Sequence, residues 1–102
     1  AAALIKEMRA GRKLIGYVEI ENNKSSKSSS TKKGYSLEVE KIYKGENLIC
    51  EKILIKAKRK ISKEIREEEF FGKGVVAVSM DRVIRKNEQG YVYIVKRVNY
   101  GR

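Results

Sequence analysis

A chain of 102 residues with 41% apolar side chains is long enough for one domain around a single modest core, and its 36% of charged residues exceeds the usual quarter. The formal net charge is +11, and one Cys with no His excludes both an internal disulfide framework and a zinc site. No apolar run approaches the ~20 residues that a bilayer-spanning helix needs.

Ala1 to Lys13 combines good helix formers with Leu4, Ile5 and Met8 at helical spacing, and Gly11 supplies a stop. Residues 1–13 are therefore expected to form an N-terminal helix ahead of a domain spanning 14–102. From Leu14 to Glu21 the period changes to two, with Leu14, Gly16, Val18 and Ile20 on one side, which predicts a strand with one buried face. The segment 22–34 holds four lysines, Lys24, Lys27, Lys32 and Lys33, with no carboxylate and no apolar residue. It predicts a flexible basic loop.

Tyr35 to Tyr43 alternates again, and Lys44-Gly45-Glu46-Asn47 is a hairpin turn leading to a third strand from Leu48 to about Lys58. Ser62 can cap a second short helix from Lys63 to about Phe71, with acidic residues near its start, Gly72 at its end, and Phe70 and Phe71 as anchors. Gly74 to Lys86 is a β-branched run interrupted at Ser79-Met80-Asp81, read as one bulged strand or two short ones. A turn at 87–90 leads to a final strand from Tyr91 to Tyr100.

The order is thus mainly β with two short helices. Strand-strand-strand-helix-strand-strand, from Leu14 to Tyr100, resembles the OB-fold, a five-stranded Greek-key barrel, here preceded by the N-terminal helix. The strand, polar loop and Leu37-Glu38-Val39-Glu40-Lys41 run are also similar to the soluble OB-like domain of the bacterial competence DNA-uptake channel family. An SH3-like barrel or an antiparallel sheet backed by two helices would use the same elements.

The charge is uneven. Residues 1–34 have eight basic and three acidic side chains, residues 35–71 nine and eight, and residues 72–102 seven and two. The OB resemblance implies a binding face on the second and third strands, but there Glu38 and Glu40 are expected to pair across the ladder with the lysines of the third strand, Lys52, Lys56 and Lys58. The candidates for a polyanion are therefore elsewhere: Lys24, Lys27, Lys32 and Lys33, then Lys58, Arg59 and Lys60, then Arg82, Arg85, Lys86, Lys96 and Arg97. Tyr91 and Tyr93 share one side of the last strand and could stack bases, or could simply bury their rings.

No His, no nucleophile elbow, no P-loop and no metal-spaced carboxylate set is present, so no enzyme, no cofactor and no small-molecule substrate is expected. These observations point first to a non-enzymatic nucleic-acid-binding module for single-stranded or structured DNA or RNA with little sequence preference, cytoplasmic or virion-associated. The alternative is a structural or assembly subunit of a virus, surface appendage or membrane-associated machine. Its basic ends would meet acidic partners or anionic lipid, and the apolar opening Ala1 to Ile5 would pack into a neighbour.

Overall fold

The computed structural model describes residues 2–21, 27–30, 34–59, 61 and 63–98. One helix, α1 (Ala2–Arg9), precedes six strands: β1 (Val18–Glu21), β2 (Lys27–Ser30), β3 (Tyr35–Lys44), β4 (Leu48–Ala57), β5 (Val75–Met80) and β6 (Gln89–Arg97). All pair antiparallel in one sheet of order β1-β3-β4-β6-β5, with β2 also on β3. β1 lies along residues 41–44 of β3 and β2 along 35–38, so the two share one lane at the same edge.

The expected barrel is not closed among the described residues: β1 and β5 remain the two edges of an open sheet. The second expected helix is replaced by a single 3-10 turn, Glu67–Phe70. Ile65 is instead extended, and it exchanges two backbone hydrogen bonds with Ile84, at 2.8 and 3.1 Å. Burying Ile61, Ile65 and Ile84 against the sheet outweighs the modest helical propensity of 63–71. Phe70 packs on that core, whereas Phe71 is exposed.

Two further boundaries move. Gly16 adopts φ 84°, a turn closed by the Tyr17 N–H on the Leu14 carbonyl at 3.2 Å, so the first strand starts at Val18 and not at Leu14. Lys27–Ser30, expected within a loop, pair with Leu37 and its neighbours as β2. The pairing uses backbone groups, which the edge of β3 offers to any extended segment.

Alternation along the strands makes two faces, each with its own core. One face gathers Tyr35, Ile53, Ile55, Val78, Met80, Val92 and Ile94 under Ile61, Ile65 and Ile84. On the other, α1 sets Ile5 and Met8, with Leu14, against Tyr43, Cys50, Tyr93 and Val95. Tyr43, Cys50 and Val95 lie in one row across β3, β4 and β6.

Candidate interaction surfaces

Hydrogen bonds at one end of the sheet bring distant basic residues together. The Ala57 N–H donates to the Glu88 carbonyl and the Lys58 N–H to the Gly34 carbonyl, both at 2.9 Å. With the Ile65–Ile84 bridge, these bonds place Lys58, Arg59 and Lys63 at the same end as Arg85 and Lys86. Lys96 and Arg97 lie at the opposite end, beside Ile49 and Leu48, so the third basic cluster read from the sequence is split. Lys96 is moreover paired with Glu51 at 2.9 Å. Arg82 follows β5 and lines a shallow cleft with Leu54, Asp81 and Tyr91. Lys24, Lys32, Lys33 and Lys60 lie outside the described residues, and of Lys27 only the backbone placement in β2 is described.

The tyrosine pair is already engaged. Tyr93 is buried, and the Arg9 guanidinium stands 5.3 Å from its ring centroid. The Tyr91 hydroxyl donates to Glu40 Oε2 at 3.1 Å, and Lys52 Nζ sits 4.5 Å over its ring. The two rings are tilted at 6.5 Å, so a stacking base would have to displace a cation from one of them.

Sequence reasoning missed the role of Arg9. Its guanidinium reaches Asp81 Oδ1 at 2.9 Å and donates to Ser79 Oγ at 2.6 Å, fastening α1 to the end of β5. A basic residue in a helix's last turn was visible, but its partners lie some seventy positions away.

The expected pairing of Glu38 and Glu40 with Lys52, Lys56 and Lys58 does not form. A register shift between Val39 and Lys41 sets Lys41 opposite Lys52, and the Lys52 ammonium turns to the Tyr91 ring. Ion pairs across the ladder form instead at Lys41–Glu19, 3.6 Å, and Lys96–Glu51.

The edges differ in kind. At β5 the Met80 N–H donates to Glu67 Oε2 at 2.9 Å, so a side chain occupies part of that edge. β1 pairs only with β3 among the described residues, and it carries exposed apolar side chains: Val18 is 67% and Ile20 43% exposed, with Ile15 at 96% just before them. Val18 and Ile20 project from one face of the sheet, where half-buried Ile42 and Ile49 continue the apolar strip. Isolated exposed apolar residues are ordinary, but here three fall within six positions, on and just before a strand whose outer edge is unpaired among the described residues.

Among the described residues no group of three His, Cys, Asp or Glu is placed to hold a metal ion, and no helix is long and apolar enough to cross a membrane. Cys50 is fully buried, and burial pushes its thiol up to about 11. Burial also raises the hydroxyls of Tyr17, Tyr35, Tyr43, Tyr91 and Tyr93, with the Glu40 bond adding to the effect at Tyr91.

These groups are neutral when protonated, and the folded state holds the proton to higher pH than the unfolded chain does. Their contribution is therefore complete below pH 9–10, where the unfolded groups titrate, and is lost as pH rises through the folded values. Urea titrations are expected to show a midpoint that is flat across neutral pH and falls above about pH 10. A thiol reagent at pH 8 is expected to label Cys50 only at the rate of unfolding.

The arrangement defines a class: an open antiparallel β domain that presents edges and charged ends, with a helix bolted to one face. Residues 1–96 match the family model of the TraK C-terminal domain, and the chain belongs to that family. This is a different family from those the element order resembles. None of the curated proteins matches the chain.

Proposed function

We propose that the chain is a non-enzymatic assembly domain of a conjugation-type machine, joined to a neighbouring protein along β1. Its membership of the TraK C-terminal domain family favours assembly over the nucleic-acid module that composition suggested first. The observation that carries the reading is the β1 edge, unpaired among the described residues, with Val18 and Ile20 exposed beside it. An edge strand offers a row of backbone donors and acceptors, and a partner's strand can complete the ladder. Covering what remains exposed of Val18 and Ile20, 67% and 43% respectively, would add about 1 kcal/mol apiece.

A double substitution, Val18→Lys with Ile20→Lys, tests this. Both positions are exposed, so unfolding free energy should change by no more than about 0.5 kcal/mol for each. In native cells the tagged unmodified chain is expected to sediment in a high-mass complex and the tagged variant to leave it. A variant that folds and still co-sediments with that complex would contradict the proposal.

A further inference from the structure

The end of the sheet farthest from Lys96 and Arg97 carries a second surface that β1 does not explain. Lys56, Lys58, Arg59, Lys63, Arg85 and Lys86 are all exposed there, and none forms an ion pair with another described residue. Some cations elsewhere are matched, at Arg9–Asp81, Arg12–Glu7, Lys41–Glu19 and Lys96–Glu51, and those without an ion pair among the described residues, such as Lys13, Lys44 and Lys73, are not gathered around a cavity with one another. The local carboxylates are already committed: Glu64 Oε1 faces the Arg66 guanidinium at 3.4 Å, and Glu88 Oε1 accepts the Arg85 backbone N–H at 2.8 Å. Gathering six like charges raises the folded state's self-repulsion, which an anionic partner would relieve.

Between the two basic segments lies a cavity of about 540 Å³, lined by Lys63, Glu64, Arg85, Lys86 and Glu88, with buried Ile61 contributing apolar surface. We propose that this end docks a partner protein segment in which carboxylates flank one large apolar side chain. The apolar residue would enter the cavity over Ile61, and its acidic neighbours would meet Lys63, Arg85, Lys86 and the outer cations.

Two other polyanions fit less well. A phosphate backbone has no apolar group to place over Ile61, and among the described residues no aromatic ring lines the cavity to stack a base. An anionic membrane surface is best held where apolar side chains insert beside the cations. Of the exposed large apolar residues, Val18 and Ile20 lie beside Lys44 and Ile42 of β3 and Val76 lies next to the Val75–Lys96 pair, towards the opposite end.

The test is fluorescence anisotropy at low salt with a short labelled peptide of Asp and Glu around one central Phe. Its Ala-centred twin, an oligothymidylate and phosphatidylglycerol-containing vesicles complete the set. The Phe peptide is expected to bind tightest. Binding should fall about tenfold for the Ala twin and about tenfold or more for Lys63→Glu with Arg85→Glu. The milder Lys86→Gln should weaken it by a smaller factor while leaving the unfolding midpoint in place, which separates lost contacts from lost folding. In a spectrum of the labelled protein, the Ile61 methyl resonances should shift on titration with the peptide.

Tighter binding of oligothymidylate or vesicles would overturn the assignment of the occupant. Equal binding of the Phe and Ala peptides, or of wild type and the double variant, would overturn the site. The Val18→Lys, Ile20→Lys protein should bind the Phe peptide normally, so failure at this end is distinguishable from failure at β1.

Discussion

Ile65→Ala is expected to lower the unfolding free energy by about 2–5 kcal/mol, a large share of the roughly 5–15 kcal/mol typical of a domain. Ile65 is 1% exposed and lies in the core formed by Ile61, Ile84 and the β4 and β6 residues beneath. Its backbone bonds to Ile84 survive the substitution, so the cost comes from the cavity left by the side chain. The functional consequence follows from position. Ile61 and Ile65 hold the crossing segment on the sheet, and Lys63 lies between them on the rim of the basic cavity. Urea unfolding should show a lower midpoint with an unchanged slope. Phe71→Ser, at a half-exposed position, should cost far less. A loss below about 1 kcal/mol at Ile65 would mean that this segment is not packed as described.

Gly34→Ala is expected to be nearly as damaging, by roughly 2–5 kcal/mol, from two sources that add. Gly34 has φ 77°, where a side chain costs about 1–2 kcal/mol. An added Cβ would also lie 3.0 Å from Ile61 Cγ2 and 3.1 Å from Ile61 Cα. Ile61 is buried and cannot withdraw freely, so overpacking adds about 1–3 kcal/mol. Gly11 supplies the control, because it shares the positive φ, 71°, and has nothing within 4 Å of the added atom. The difference between the two alanine variants therefore measures the contact with Ile61 alone. If Gly34→Ala costs no more than Gly11→Ala, the close approach of Gly34 to Ile61 is wrong.

The long strands were legible because their local signals agree. Tyr35, Leu37 and Val39 alternate with polar residues, Leu48–Ala57 is rich in β-branched and apolar side chains, and the Gly-containing turn between them closes with the Gly45 N–H on the Leu48 carbonyl at 2.9 Å. The N-terminal helix was legible from Leu4, Ile5 and Met8, although it ends at Arg9. The stretch 63–71 misleads because Ile61 and Ile65 stand at helical spacing, yet both pack in the sheet's core, and Ile65 does so from an extended bridge to Ile84. Only a partner distant in sequence, Ile84, decides between these conformations. β2 was missed because Lys27–Ser30 has no apolar period, and its pairing is specified by β3. Sheet closure was inferred from element order, which does not say whether the first and last edges meet.

The candidate surfaces were partly legible. Composition showed the surplus of cations, and Lys58, Arg59, Arg85 and Lys86 were named from sequence, but their meeting at one end depends on bonds through Ala57 and Lys58. Lys63 was seen only as a helix residue. Alternation predicts Val18 and Ile20 on the buried side of a strand, but it does not tell whether a second layer covers that side, and both are exposed. The Tyr91/Tyr93 platform failed as an open surface because α1 delivers Arg9 onto one ring and β4 delivers Lys52 onto the other.

The central claim is that β1 is the seam between this domain and a neighbouring protein. Site-specific photo-cross-linking in native cells tests it most directly, with a benzophenone side chain placed singly at Val18, Ile20, Arg12 or Lys73, all exposed. The account predicts one discrete, protease-sensitive adduct from Val18 and Ile20 and none from Arg12 or Lys73. No adduct from β1, or adducts of equal yield from all four positions, would contradict it.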